Sequence, residues 1–77
     1  MMGFQKREII EMLRDKFKSG TRVELLRMDD VQAPPIGTKG TVIGVDDIGS
    51  IMVRWDYGSG LSVAYGEDEC RVIGSEE

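Results

Sequence analysis

The chain has 77 residues, 40% of them apolar and 31% charged, with a net charge of −4, one cysteine and no histidine. That length builds one domain of ordinary globular composition, and a lone cysteine excludes an internal disulfide and leaves a thiolate metal site without partners. Without histidine the usual proton shuttle near neutral pH and the commonest metal ligand are missing, so neither an enzyme nor a metal or other cofactor is expected.

The N-terminus, Met1-Met2-Gly3-Phe4-Gln5-Lys6-Arg7-Glu8, has no long apolar run and carries charge from Lys6 onward. Neither a signal peptide nor a membrane span is expected there, and a cytoplasmic address is the default. Residues 5–18 predict an amphipathic helix: Ile9, Leu13 and Phe17 recur at four-residue spacing, and Ile10 widens the stripe. Met12 lies to one side, with Arg7, Glu11, Arg14 and Lys18 opposite, and Gly20 suits a left-handed stop. So short a helix is marginal alone in water, so its stripe must pack against the rest of the chain or against a second copy.

From Thr21 the period changes to two, with Val23 and Leu25 alternating with Arg22 and Glu24. Met28 to Thr38 reads as a long loop, because Pro34-Pro35 excludes regular pairing. Gly40–Val45 predicts the second strand, bulged or bent at Gly44, and Asp46-Asp47-Ile48-Gly49 a hairpin turn. Ser50–Trp55 returns with Ile51, Val53 and Trp55 on one face, which makes Trp55 a core residue before it is a binding residue. After a turn over Asp56–Gly60, Leu61, Val63 and Tyr65 alternate, Gly66–Glu69 fits one helical turn, and Arg71-Val72-Ile73 a closing strand. Glycines 37, 40, 44, 49, 58, 60 and 66 read as turn or bend punctuation. The order predicts a single domain over 1–77, mainly β: a helix over 5–18, then a small five-stranded SH3-like barrel over 21–74.

Several residues bear on function. The pairs Asp29-Asp30 and Asp46-Asp47, with Asp56, offer oxygen ligands, but Asp46–Gly49 fits an Asp-bonded turn and no stretch matches a calcium loop. The 28–38 loop is the strongest candidate on length, with Met28, Asp29, Asp30, Pro34 and Pro35 as its partner-binding residues, joined by Tyr57 in a turn where no core position is expected. Ile9, Ile10, Leu13 and Phe17 form a candidate helix interface, although the short linker to the first strand favours packing of the same stripe onto the chain's own barrel. Cys70, after Glu67, Asp68 and Glu69, reads as a small packing residue whose thiol its acidic neighbours would blunt.

The charge divides at Gly20: residues 1–20 carry five Lys/Arg against three Asp/Glu, and residues 21–77 five against eleven. An acidic barrel repels phosphate backbones, which disfavours nucleic acid as a partner; the remaining route to it is the basic helix face with Arg7, Arg14 and Lys18. A protein or peptide partner is the preferred expectation, with the chain a monomer or a helix-mediated homodimer.

The runs Gly20-Thr21-Arg22-Val23-Glu24-Leu25, Arg27-Met28-Asp29-Asp30, Pro35-Ile36-Gly37-Thr38-Lys39-Gly40-Thr41-Val42, Val45-Asp46-Asp47-Ile48-Gly49 and Val53-Arg54-Trp55-Asp56-Tyr57-Gly58-Ser59 resemble domain-of-unknown-function family 4314. That resemblance covers nearly the whole chain and implies a short bacterial protein of Firmicutes or their mobile elements, with no assigned activity. The stretch from Gly40 to Ser59 also resembles the mind-bomb type of SH3-like domain, which implies binding of protein segments. The same folding pattern occurs in RNA-binding barrels, so the fold alone does not select the ligand.

Overall fold

The structure, a computed structural model, describes residues 7–58 and 60–75. It is mainly β, with one helix, α1 (Arg7–Lys16), ahead of five strands: β1 (Thr21–Arg27), β2 (Lys39–Val45), β3 (Ser50–Trp55), β4 (Val63–Ala64) and β5 (Glu69–Ser75). All five pair antiparallel in one sheet of order β4-β3-β2-β1-β5. The outermost strands, β4 and β5, touch each other, so the sheet curls round its core.

The core follows the alternation. Val23 and Leu25 of β1, Val42 and Val45 of β2, Ile51, Val53 and Trp55 of β3 and Val63 of β4 are buried together. Leu13 and Phe17 join them at 1% and 5% exposure, so the helix stripe closes the chain's own sheet. The Leu13 carbonyl accepts the last helical bond from Phe17 N–H at 2.7 Å, and Gly20, at φ +93°, turns the chain into β1. The predicted helix therefore stops short of Lys18, while Gln5 and Lys6 lie outside the described residues.

The first hairpin forms as the turn chemistry requires. Asp46 Oδ1 accepts N–H bonds from Ile48 at 3.1 Å and Ser50 at 2.8 Å, while Gly49 takes φ +89°. Between β2 and β3 the register jumps from Val42 to Gly44, which leaves Ile43 as the bulged residue, half-exposed beside the expected glycine.

Three elements differ from expectation. The fourth strand shrinks to two residues because the Leu61 carbonyl is taken by Trp55 Nε1–H at 2.9 Å and the Ala64 N–H by the Asp68 carboxylate at 2.9 Å. The one-turn helix is an open turn, since Gly66 sits at φ +91°; the Ala64 carbonyl still accepts from both Glu67 and Asp68. The fifth strand is longer than Arg71–Ile73 because β1 templates it along its full length.

On the outer face, Arg22 reaches across the sheet. Its guanidinium donates to both Asp56 carboxylate oxygens at 2.8 Å and to the buried Thr41 hydroxyl at 3.0 Å. This hydrogen-bonded pairing holds the Asp56 carboxyl below its usual 3.8. A depressed carboxyl stabilises the fold above its unfolded pKa and loses that contribution as pH falls through the folded one. Asp56→Asn should therefore flatten the acid side of the stability profile below about pH 4, read as urea midpoints in an acid titration, with little change in shape near neutrality.

Candidate functional site

The 28–38 loop is pinned rather than slack. Leu25 anchors it twice, its N–H donating to the Thr38 carbonyl and its carbonyl accepting from Gly37 N–H, both at 2.8 Å. Within the loop, Asp30 Oδ1 accepts the Gln32 N–H at 2.8 Å, and the Pro35 carbonyl accepts both the Thr38 N–H at 3.0 Å and its hydroxyl at 2.6 Å. These bonds fix the local backbone, so the side chains that point outward do so from a defined frame.

The 56–58 turn lies against the same end of the sheet. Asp56 N–H donates to the Lys39 carbonyl at 2.9 Å, at the point where the loop enters β2, and Gly58 N–H closes the turn on the Trp55 carbonyl at 2.8 Å. The two segments display three apolar side chains: Val31, fully exposed, and Ile36, at 61%, on the loop, and Tyr57, at 74%, on the turn. Asp29 and Asp30 are exposed beside them. Desolvating such groups against a partner is favourable, whereas holding them in water gains nothing.

The structure sorts the residues singled out from sequence. Asp29, Asp30, Pro35 and Tyr57 are exposed at this end, while Met28 is half-buried and packs against the core. Pro34 is buried and is removed from the set of surface residues; it stiffens the loop from inside. Leu13 and Phe17 are likewise removed as a surface for another chain, being part of the core, and Ile9 and Ile10 are half-buried on the same helix. Val31 and Ile36 were missed by the sequence reading, although each is an apolar residue in a loop flanked by Asp or Pro.

A second feature is a groove of about 420 Å³ between α1 and the 64–70 segment. Leu13, Phe17, Ile51 and Val63 form its floor, with Met12 and Tyr65 on its rim at 47% and 40% exposure. Cys70 lines it too; burial pushes that thiol up to about 11, against a weaker pull from Lys16, so it is protonated and a poor nucleophile near neutral pH. Burial, not the preceding carboxylates, is the cause of the shift. No local motif announces the groove because its walls come from segments some fifty residues apart in the chain.

Among the described residues no three His, Cys, Asp or Glu side chains gather as a metal site, and no helix is long and apolar enough to cross a membrane. A search of the curated proteins finds no match. Residues 6–73, nearly the whole chain, match the model of the family described as Domain of unknown function (DUF4314), and the chain belongs to that family.

Proposed function

We propose that the chain is a small protein-binding module, an SH3-like barrel whose 28–38 loop and 56–58 turn together hold a basic or proline-containing segment of a protein partner. The observation that carries this reading is the set of exposed apolar side chains Val31, Ile36 and Tyr57 held beside Asp29 and Asp30 on a hydrogen-bonded frame. An apolar centre with a charged margin is the anatomy of a protein interface. The acidic balance of residues 21–77 supports a cationic segment.

The charge arrangement on α1 argues against the nucleic-acid alternative. Arg7 pairs with Glu11 at 3.1 Å, Arg14 with Asp47 at 2.7 Å and Lys18 with Asp15 at 3.8 Å, so each helix cation named for phosphate contact already has a carboxylate partner within the chain. Burial of Leu13 and Phe17 in the chain's own core supports a monomer over a helix-mediated dimer. A free half-buried thiol at Cys70 is compatible with a reducing cytoplasm, and we place the protein there.

Selection of short peptides from a random display library on the full chain tests the proposal. Enriched sequences are expected to carry Lys or Arg around an apolar or proline residue. Tyr57→Ala should weaken the selected peptides about tenfold or more, with the unfolding midpoint unchanged. Peptides that bind Tyr57→Ala and an Ile36→Ser companion as well as the parent chain would overturn the assignment.

A further inference from the structure

The edge strand β5 is built differently from the rest of the sheet. Val72 is in register with Val23 and Cys70 with Leu25, and cross-strand partners share a face, so Val72 and Cys70 look toward the core. Val23 and Leu25 are fully buried, yet Val72 is 41% exposed. The reason lies on the other side of β5, where β4 contributes only two residues and the one further bridge among the described residues, Tyr65 to Asp68, lies ahead of β5. Among the described residues β5 is paired as a strand with β1 alone, and alternate N–H and C=O groups face away from that partner.

The groove beside α1 adjoins the start of β5, sharing Glu69 and Cys70 with it. Its lining carries both signs of charge. Asp68 accepts the Ala64 N–H, Arg27 donates to the Glu67 carbonyl at 3.2 Å, and Glu69 stands in register opposite Arg27 without an ion pair among the described residues. On the helix side the charge is positive: the Lys16 ammonium lies 5.4 Å from the Phe17 ring centroid and has no carboxylate within ion-pair distance among the described residues, unlike Arg7, Arg14 and Lys18 of the same segment.

We propose that the open side of β5 and the adjoining groove take up a short extended peptide as a sixth strand, with an apolar side chain on the Leu13–Phe17–Val63 floor and a carboxylate against Lys16. Backbone pairing supplies the attachment, the apolar floor and half-covered Val72 supply desolvation, and Lys16 sets the charge preference. Register shifts at Leu26 and Ile73 bound the regular stretch to Cys70–Val72, so the bound segment is short. This site is separate from the loop–turn surface, and it takes a peptide of opposite charge character.

The test is a second display selection on the full chain carrying Tyr57→Ala and Ile36→Ser, which removes the loop–turn surface from competition. Enriched peptides are expected to hold Asp or Glu next to an apolar residue, to shift the amide signals of Cys70–Val72 and Met12–Lys16, and to slow iodoacetamide alkylation of Cys70. Lys16→Glu should weaken them about fivefold, and methylation of alternate peptide nitrogens at least tenfold. No enrichment of acidic peptides, unchanged Cys70 alkylation, or indifference to backbone methylation would overturn the proposal. So would a concentration-dependent dimer whose amide shifts lie on β5, since the open edge would then belong to a second copy. Loss of the first selection with success of the second would reject the loop–turn reading and leave this one standing.

Discussion

Replacing Trp55 with alanine is expected to lower stability by about 3–5 kcal/mol, the range for emptying an aromatic core site. Trp55 is 1% exposed, touches the core from the end of β3, and fixes the Leu61 carbonyl through its indole N–H at 2.9 Å. A chain of this length has roughly 4–12 kcal/mol in total, so the variant would sit near its unfolding threshold. Trp55→Phe keeps most of the ring volume but loses the N–H donor, and should cost only about 1–2 kcal/mol. Because Trp55 is the sole tryptophan, the comparison is made by far-UV dichroism in urea rather than by fluorescence. A loss below about 1 kcal/mol for the alanine variant would mean that Trp55 is not the centre of the core.

The second large effect is at Gly40. A Cβ there would stand 2.7 Å from Val53 Cγ1, 2.8 Å from Trp55 Cε3 and 2.9 Å from the Arg54 carbonyl oxygen. Two of those atoms belong to packed core side chains and the third to the backbone of the paired strand, so nothing yields easily. Gly40→Ala should therefore cost about 1–3 kcal/mol by overpacking. Gly44 is the control, because its Cβ would meet only Met52 Cε at 3.5 Å; Gly44→Ala should change stability by less than about 0.5 kcal/mol. Equal urea midpoints for the two variants would contradict this assignment of the close approach.

Gly40 also shows where sequence reading stops. Every other glycine in the run from 37 to 66 carried the same local signature, and six glycines of the chain, Gly20, Gly37, Gly49, Gly58, Gly66 and Gly74, do take positive φ. Gly40 is a glycine for a different reason, the depth of Trp55 on the neighbouring strand, and no periodicity within β2 encodes what lies across it. The alternation of Val23 with Leu25, and of Ile51, Val53 and Trp55, was legible because burial of one face imposes a period of two. The helix stripe was legible in the same way, whereas its destination is set by the fold.

The candidate surface was legible in part. Loop length and the turn position of Tyr57 single out residues of which Asp29, Asp30, Pro35 and Tyr57 are exposed, but Pro34 is buried and Val31 and Ile36 are exposed. Side-chain direction in an irregular loop depends on hydrogen bonds such as Thr38 hydroxyl to Pro35 carbonyl, which composition does not reveal. The groove beside β5 was invisible for a related reason: its lining joins α1 to the 65–70 segment, and the chain leading into that segment is held by side-chain bonds such as Trp55 Nε1–H to the Leu61 carbonyl and Ala64 N–H to the Asp68 carboxylate.

The claim that the 28–38 loop and the 56–58 turn act as one binding surface is tested most directly by amide chemical-shift mapping of the isotope-labelled chain against a basic peptide from the first selection. The account predicts that the largest shifts fall together on Asp29–Ala33, Ile36 and Asp56–Gly58, with Met52 and Arg71 on the outer sheet face unmoved. Shifts confined to the outer sheet face, or to α1 without the loop and the turn, would contradict it.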